Sequence, residues 1–225
     1  MAEQLEHTSP HAHEFTVVDS ELLQESPILA MRRDTVTMPG GAQASREVVE
    51  HFGAVAVVAL NDRNEVAVVK QYRHAVRHRL LELPAGLLDV AGEDELTGAK
   101  RELVEEAGLE AANWSVLVDL VTSPGFAEEA VRVFLARELR EVPRPPAEEE
   151  EADMTLTWMP LEQAREAVLR GEIVNSIAIA GVLAASEVQA GRATPRSTDA
   201  PFELRPTSLA KRRVAAGITP DMKRI

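Results

Sequence analysis

The sequence contains no cysteine, and aromatic residues make up only 4% of its 225 residues. Without cysteine the chain forms no disulfides or thiolate metal sites, and it has no cysteine nucleophile. Long apolar runs are also missing: the stretch 173–185 is short and is interrupted by Asn175 and Ser176, so a transmembrane helix is not expected. Because the N-terminus shows no signal-peptide pattern either, we expect a cytoplasmic protein without a membrane partner.

Positive charge is scarce as well. The chain has 24 Lys and Arg residues and 37 Asp and Glu residues, which gives a formal net charge of −13. This balance disfavours nonspecific binding to nucleic acid or to an anionic membrane. The motif G-x-S-x-G is absent, so the sequence gives no support to a Ser-His-Asp hydrolase. The remaining composition, 45% hydrophobic and 27% charged, is typical of a globular protein with one good core.

Strand patterns predominate near the N-terminus. Residues 1–13 are polar and are expected to form a disordered tail. Residues 14–49 have strand patterns around a turn signal at Pro39-Gly40-Gly41, which predicts an antiparallel hairpin in a strand-rich arm. Because an isolated hairpin is barely stable, this arm must pack against another surface.

Strands and a few helices mix in the rest of the chain. Apolar runs predict strands, and periodic patterns with capping residues predict helices. The strands are expected at 53–60, 66–69, 80–83, 116–120, 130–135 and 154–158, and the helices at 96–107, 161–170 and 175–189. This mixture argues for an α+β fold with a mixed β-sheet flanked by helices. The segment 191–225 is expected to be a C-terminal tail that adds little to the core.

The most informative segment is 86–109, which reads GLLDVAGEDELTGAKRELVEEAGL. Glu102, Glu105 and Glu106 stand at i, i+3 and i+4, so a helix places all three carboxylates on one face. Like charges at this spacing repel, and a cation would relieve the repulsion. Oxygen ligands of this kind suit Mg²⁺ or Mn²⁺. The alternative is an ordinary amphipathic helix with a solvated acidic face.

This segment resembles the Nudix box, G-x5-E-x7-R-E-U-x-E-E-x-G-U, in which U is aliphatic. Every fixed residue is present, and 93–109 matches without a gap. One departure stands out, because six residues rather than five separate Gly86 from Glu93. The resemblance implies the Nudix α/β/α sandwich for residues 50–190, with the box at 86–109. It also implies Mg²⁺-dependent diphosphate chemistry, with Mn²⁺ as the alternative metal.

The resemblance further implies roles for the residues of the box. Glu102 and Glu106 would be metal ligands, and Glu105 a partial or water-mediated one. The main-chain carbonyl of Ala85 would complete the metal site. Glu93 and Arg101 would form an ion pair that supports the loop against the helix.

A general base is expected outside the box. The run of four glutamates at 148–151 lies just before a predicted strand. Such a run is ordinarily solvated charge, but Nudix enzymes that cleave ADP-ribose place a catalytic glutamate on the corresponding loop. The resemblance therefore points to Glu151 as the base, with Glu150 as the alternative.

Substrate contacts are expected from three further places. Pro124 stands fifteen residues beyond the box, as in the ADP-ribose pyrophosphatases of the family, and its Pro-Gly turn is rigid enough to seat a ribose or a phosphate. Glu129 matches a substrate-contacting glutamate of that group, and Arg73 is a candidate phosphate ligand at a strand end. The expected substrate-binding residues of the turn are Ser123, Pro124, Gly125 and Phe126.

Several segments, including LELPAGLLDVAGE and RGEIVNSIAIAGVLA, resemble the bacterial, and especially the actinobacterial, ADP-ribose pyrophosphatases. This implies hydrolysis of ADP-ribose to AMP and ribose 5-phosphate. Two alternatives remain open: a diphosphatase of another nucleoside diphosphate sugar such as GDP-mannose, and a non-catalytic Nudix-type binding module. Since similar enzymes use their arms to build a two-fold dimer, the arm at 14–49 also implies a homodimer.

Overall fold

The computed structural model describes residues 13–146 and 153–224. The expected N-terminal tail, apart from His13, and the candidate bases Glu150 and Glu151 lie outside the described residues. The strands are β1 (Val17–Glu25), β2 (Leu29–Thr37), β3 (Gln43–His51), β4 (Ala54–Ala59), β5 (Glu65–Arg73), β6 (His78–Glu82), β7 (Ala85–Leu87), β8 (Leu109–Val121), β9 (Ala130–Glu141) and β10 (Thr155–Pro160). The helices are α1 (Glu95–Ala107), α2 (Leu161–Leu169), α3 (Ser176–Gln189) and α4 (Ser208–Ala215).

A four-stranded mixed sheet forms the centre of the molecule. Its order is β7-β4-β9-β8, with β4 parallel to β9 and the other two pairs antiparallel. The continuous apolar sequence of β4 suits a strand that is buried on both faces. Val58 and its alternate neighbours pack with α2 and α3, whereas Val57 and its neighbours pack with α1. The fold is therefore an α/β/α sandwich, and the expected fold class is confirmed.

A second sheet, of order β10-β5-β6, carries the chain into the segment of the box. The end of β5 pairs with the start of β6, which places Arg73 opposite His78. From β6 the chain passes through Leu83 and Pro84 into β7, the edge strand beside β4. These connections place the start of the box at the edge of the central sheet.

The arm is a three-stranded antiparallel sheet of order β1-β2-β3. The predicted hairpin is present between β2 and β3, and its loop is closed by a hydrogen bond of 2.7 Å from the Met38 amide to the Ala42 carbonyl. β3 also joins the core, because the Val49 amide donates to the Phe126 carbonyl at 2.7 Å. The sheet is therefore attached to the turn at 123–126, on which substrate contacts were expected.

The expectation that residues 191–225 add little to the core is wrong. Leu209 of α4 is fully buried with Ala30 and Phe52, and Met222 completes this cluster. Buried Arg132 donates to the carbonyls of Ala200 and Pro201 at 2.7 and 2.8 Å. The contacts that hold this segment on the core are made by isolated apolar side chains and by carbonyl groups. The Arg-, Pro- and Ser-rich sequence therefore shows no periodic pattern that would predict them.

No helix in the described part of the chain is long and apolar enough to cross a membrane.

The packing of the C-terminal segment can be tested with two leucines of that segment. Leu209→Ala removes a fully buried side chain, so we expect the free energy of unfolding to fall by about 2–4 kcal/mol. Leu204→Ala is the matched control, because Leu204 is 64% exposed and its loss should change stability by less than about 0.5 kcal/mol. Urea unfolding measures both, and equal values would show that α4 is not part of the core.

Candidate functional site

The acidic helix α1 is held by a capping residue at each end. Asp94 accepts a hydrogen bond of 2.9 Å from the Thr97 amide at the N-terminus. Gly108 ends the helix in the left-handed conformation, at φ 64°, and its amide donates to the Val104 carbonyl. This is the conformation that glycine adopts without steric cost. The two caps fix where α1 begins and ends, and the packing of Ala99, Leu103 and Ala107 in the core sets the direction of its acidic face.

That acidic face is turned largely inward. Glu102 is 8% exposed and Glu106 is 6% exposed, whereas the Glu105 side chain is 36% exposed. Burial raises the pKa of Glu102 to about 7, although the neighbouring Arg101 favours its charged form. The amide of Ala85 donates to the Glu106 carboxylate at 2.9 Å. The alternative of a solvated acidic face therefore does not describe this helix.

Arg101 connects the acidic residues to each other. Its Nε and Nη2 donate to the two carboxylate oxygens of Glu93 at 3.1 and 3.2 Å. Its Nη1 donates to Glu102 at 2.6 Å and to Glu105 at 2.9 Å. The expected ion pair between Glu93 and Arg101 is thus present, and the same guanidinium also offsets part of the negative charge of the acidic face.

Gly86 packs directly against this face. A Cβ atom at position 86 would lie 2.0 Å from the carboxylate carbon of Glu102, which is far closer than two such atoms can approach. The box glycine is therefore needed because the Glu102 carboxylate occupies the space that a side chain would fill. The backbone of Ala85 and Gly86 and the carboxylates of Glu102 and Glu106 form one compact group.

The residues of this group suit a hard divalent cation. Within 13–146 and 153–224, no three acidic or histidine side chains form a ready metal-binding group, and Arg101 holds two of the candidate ligands. However, the carboxylates of Glu102 and Glu105 already converge on a single cationic nitrogen, Nη1 of Arg101. Carboxylate and main-chain carbonyl oxygens, which this group supplies, are the ligands that Mg²⁺ or Mn²⁺ prefers.

The turn at 123–126 lies between β8 and β9. The amides of Phe126 and Ala127 donate to the Ser123 carbonyl at 3.1 and 3.0 Å, and Pro124 and Gly125 form the exposed tip. The Phe126 ring is 59% exposed, so it is accessible to a ligand. Roles in substrate binding for this turn stay a prediction.

Glu129 follows the turn and contacts two residues. The Thr122 hydroxyl donates to its carboxylate, and Nδ1 of His51 lies 3.6 Å from its other oxygen. Burial of His51 holds the pKa of the imidazole below its ordinary value, although Glu129 opposes this effect. The expected substrate contact of Glu129 would therefore form beside a histidine of the arm.

Arg73 is held by a residue that the sequence analysis missed. Its Nη2 donates to Glu82 at 2.8 Å and its Nε donates to the same carboxylate. Gln71 also donates to Glu82, at 3.1 Å, and Glu82 is only 3% exposed. The signal in the sequence was a single acid in the apolar run 80–83, three residues before Ala85. Glu82 fixes the direction of Arg73 at the edge of the box segment.

A second charged cluster was also missed. Buried Glu50 accepts hydrogen bonds from Arg32 at 3.0 Å and from Arg212 at 2.7 Å. Glu128 lies 3.4 Å from Arg32 and accepts a hydrogen bond from Ser208 at 2.9 Å. This cluster joins the arm, the turn region and α4. Since Glu50 and Arg212 are 162 residues apart in sequence, no local pattern predicts their contact.

Comparisons with known proteins agree with this geometry. A family model described as the NUDIX domain matches residues 50–177. An ADP-ribose pyrophosphatase of Mycobacterium tuberculosis is 59% identical over 89% of this chain and 97% of its own length. An ADP-ribose pyrophosphatase of Bacillus subtilis is 35% identical over 71% of this chain and 85% of its own. A crystal structure titled ADP compounds hydrolase superposes with a TM-score of 0.68 at 20% identity, covering 82% of this chain and all of that one, and it supports the fold alone.

The close approach of Gly86 and Glu102 can be tested in the metal-free protein. In Gly86→Ala the Glu102 carboxylate must move and loses its place beside Arg101, so we expect a loss of about 1–3 kcal/mol in stability. The same substitution made in a Glu102→Ala background meets no carboxylate and should cost less than about 0.5 kcal/mol. Urea unfolding in EDTA measures both. Equal costs in the two backgrounds would show that Glu102 does not lie against Gly86.

Proposed function

Because the chain belongs to the NUDIX domain family, we propose that it hydrolyses the diphosphate of ADP-ribose to AMP and ribose 5-phosphate. The observation that carries the proposal is the intact acidic helix, in a chain that matches an ADP-ribose pyrophosphatase over nearly its full length. All three carboxylates, Glu102, Glu105 and Glu106, are present on that helix. A non-catalytic module would not need to keep these charges together against their repulsion.

We propose that Mg²⁺, or Mn²⁺ in its place, binds at Glu102, Glu106 and the carbonyl of Ala85, with Glu105 as a partial or water-mediated ligand. When bound, the cation would neutralise the diphosphate and activate the attacking water. Arg101 would then keep its two bonds to Glu93, because that carboxylate is outside the proposed ligand set. The ion pair between Arg101 and Glu93 supports the site in this proposal.

The remaining roles follow the positions of the side chains. Arg73, directed by Glu82, would bind a phosphate oxygen of the substrate. The turn at 123–126 and Glu129 would contact the ribose and the phosphates beside the arm. The general base would be Glu151, with Glu150 as the alternative, on the segment that precedes β10.

The proposed function is tested first through its metal requirement. EDTA should abolish hydrolysis of ADP-ribose, and Mg²⁺ or Mn²⁺ should restore it. Glu106→Gln keeps the shape of the side chain but removes its charge, so turnover should fall by about 10²–10⁴-fold. Mass spectrometry of the products, over a panel that includes GDP-mannose, identifies the substrate. Preferred cleavage of another nucleotide sugar would show that the protein is a diphosphatase of that sugar instead. Full activity in EDTA would contradict the metal site.

The second prediction concerns the base. Glu151→Gln should lower turnover by about 10²-fold or more while it leaves the affinity for ADP-ribose nearly unchanged, because a base acts mainly in the transition state. Glu148→Gln, in the same run of glutamates, is the matched control and should keep normal turnover. If Glu150→Gln is the damaging change instead, Glu150 is the base. Normal rates for both would remove this segment from the mechanism.

A homodimer built by the arm is also part of the proposal. β1 is an edge strand of the arm sheet, and it exposes apolar side chains that a partner could cover. Val17 and Val18 are each about half exposed, and Phe15 and Leu22 are exposed beside them. Exposed apolar residues grouped in this way are typical of an interface. In this proposal, as the resemblance to similar enzymes implies, the arm of each subunit would help to enclose the substrate of the other.

The third prediction follows from this surface. Full-length protein at micromolar concentration should sediment with the mass of two chains. Val18→Asp places a charge on the exposed face of β1 and should shift the equilibrium toward monomer. Leu169→Asp is the matched control, because Leu169 is 69% exposed on α2, away from the arm. A wild-type monomer that turns over ADP-ribose at full rate would contradict a shared site.

The cytoplasmic location stays a proposal, supported by the lack of cysteine. We propose a small-molecule nucleotide-sugar substrate as the partner. The net charge of −13 disfavours nucleic acid or an anionic membrane surface.

A further inference from the structure

The loop between Gly86 and Glu93 has one residue more than the box pattern, and the structure shows what fixes its shape. On its inner side Leu88 is buried, and Nη2 of Arg101 reaches the Leu87 carbonyl at 3.5 Å. At its end Gly92 has φ +81°, a conformation that glycine adopts readily. These contacts hold the two ends of the loop, but they leave Asp89, Val90 and Ala91 to be held from outside.

The outer side of the loop pairs with the C-terminal segment. The Ala91 amide donates to the Pro220 carbonyl at 2.8 Å, and the Met222 amide donates to the Asp89 carbonyl at 2.9 Å. Val90 and Asp221 form an antiparallel bridge between these two bonds. The segment 220–223 is thus a short partner strand for the loop of the box.

Side chains add to this pairing. Nζ of Lys223 lies 2.7 Å from a carboxylate oxygen of Asp89, and Asp89 is only 4% exposed. Burial opposes the charged form of Lys223, but the Asp89 carboxylate outweighs it, so the pKa of Lys223 lies above its ordinary value. The Met222 side chain is buried in a cluster against which Leu87 and Ala91 pack.

Arg205 holds the other end of the same loop. Its Nη1 donates to Glu95 at 2.7 Å and its Nη2 donates to the Glu93 carbonyl at 3.1 Å. Glu93 in turn binds Arg101 through both carboxylate oxygens. Two basic side chains of the C-terminal segment therefore contact this loop, Lys223 at Asp89 and Arg205 at Glu93.

We propose that Lys223, through its ion pair with Asp89, is a positioning residue for the metal site. The proposal rests on the proposed function, since it assigns Lys223 a role toward the cation bound by Glu102 and Glu106. The physical reason is that Asp89 is a buried carboxylate on a loop without regular structure. Without the Lys223 ammonium beside it, the Asp89 carboxylate would move toward water and displace the loop. Gly86, which packs against Glu102, begins that loop, so its displacement would disturb the metal ligands.

A purely electrostatic role for Lys223 predicts the opposite sign. Removal of a nearby positive charge would make the acidic face more negative, and a divalent cation would then bind more tightly. Loss of positioning instead makes the cation bind more weakly. The direction of the change in metal affinity therefore separates the two roles.

The test uses metal-free full-length protein without substrate, titrated with Mn²⁺ while free Mn²⁺ is counted by EPR. Lys223→Met should weaken Mn²⁺ binding by about tenfold, the typical effect of losing a group that orients a metal ligand. Lys223→Arg, which keeps the ion pair, should restore most of the affinity. Arg224→Met is the control matched in charge, because Arg224 pairs with Asp221 at the surface, and it should leave Mn²⁺ affinity unchanged.

A comparison within the Asp89→Asn variant keeps the test valid if Lys223→Met destabilises the fold. In Asp89→Asn the buried charge is absent, so adding Lys223→Met should change Mn²⁺ affinity by less than about twofold. With ADP-ribose, kcat of Lys223→Met at saturating Mg²⁺ should approach that of the wild type, while more Mg²⁺ is needed to reach it. Unchanged or tighter Mn²⁺ binding by Lys223→Met would overturn the positioning role. If the wild type itself bound no Mn²⁺, the proposed metal site would fall, and this inference with it.

Discussion

The guanidinium of Arg101, shared among Glu93, Glu102 and Glu105, is the interaction on which the site depends. A helix that turns carboxylates toward the protein interior needs positive charge close to them, because buried ions are costly unless they are paired. Arg101 supplies that charge from the same helix. Its bonds to Glu93 also tie the helix to the loop that precedes it, so the charge balance and the shape of the site have one origin.

The same principle recurs away from the helix. Glu50 is held by Arg32 and Arg212, and Asp89 is held by Lys223, each across a long separation in sequence. Although the chain as a whole is strongly acidic, several of its basic residues lie beside buried carboxylates. Buried charge pairs of this kind contribute little net stability, but the loss of one partner is costly. They fix which segments meet, and they join the arm, α4 and the C-terminal segment to the core.

The arrangement has a consequence for the segments outside the sandwich. β3 of the arm pairs with the turn at 123–126, and residues 220–223 pair with the loop of the box. One of these loops joins β8 to β9, and the other joins β7 to the acidic helix α1. The sandwich supplies a rigid frame, whereas segments from both ends of the chain shape the loops around the proposed active site.

The sequence determined the features that depend on local spacing. The apolar run of β4, the hairpin at Pro39-Gly40-Gly41 and the acidic helix with its glycine C-cap all follow from periodicity and capping. The proximity of Glu93 and Arg101 follows from the resemblance to the Nudix box, since both residues lie within it.

The other contacts can be recognised only in the folded chain, because they form between neighbouring strands or between segments that lie far apart in the sequence. Glu82 stands out in the sequence only as a lone acid in an apolar run, which does not show that it holds Arg73. The contact of Glu50 with Arg212 has no local pattern. The C-terminal segment looked like a tail because its composition is polar, and its anchors are single side chains and backbone bonds. The burial of Leu209 and the ion pair between Lys223 and Asp89 form only when the chain has folded, so the sequence does not predict them.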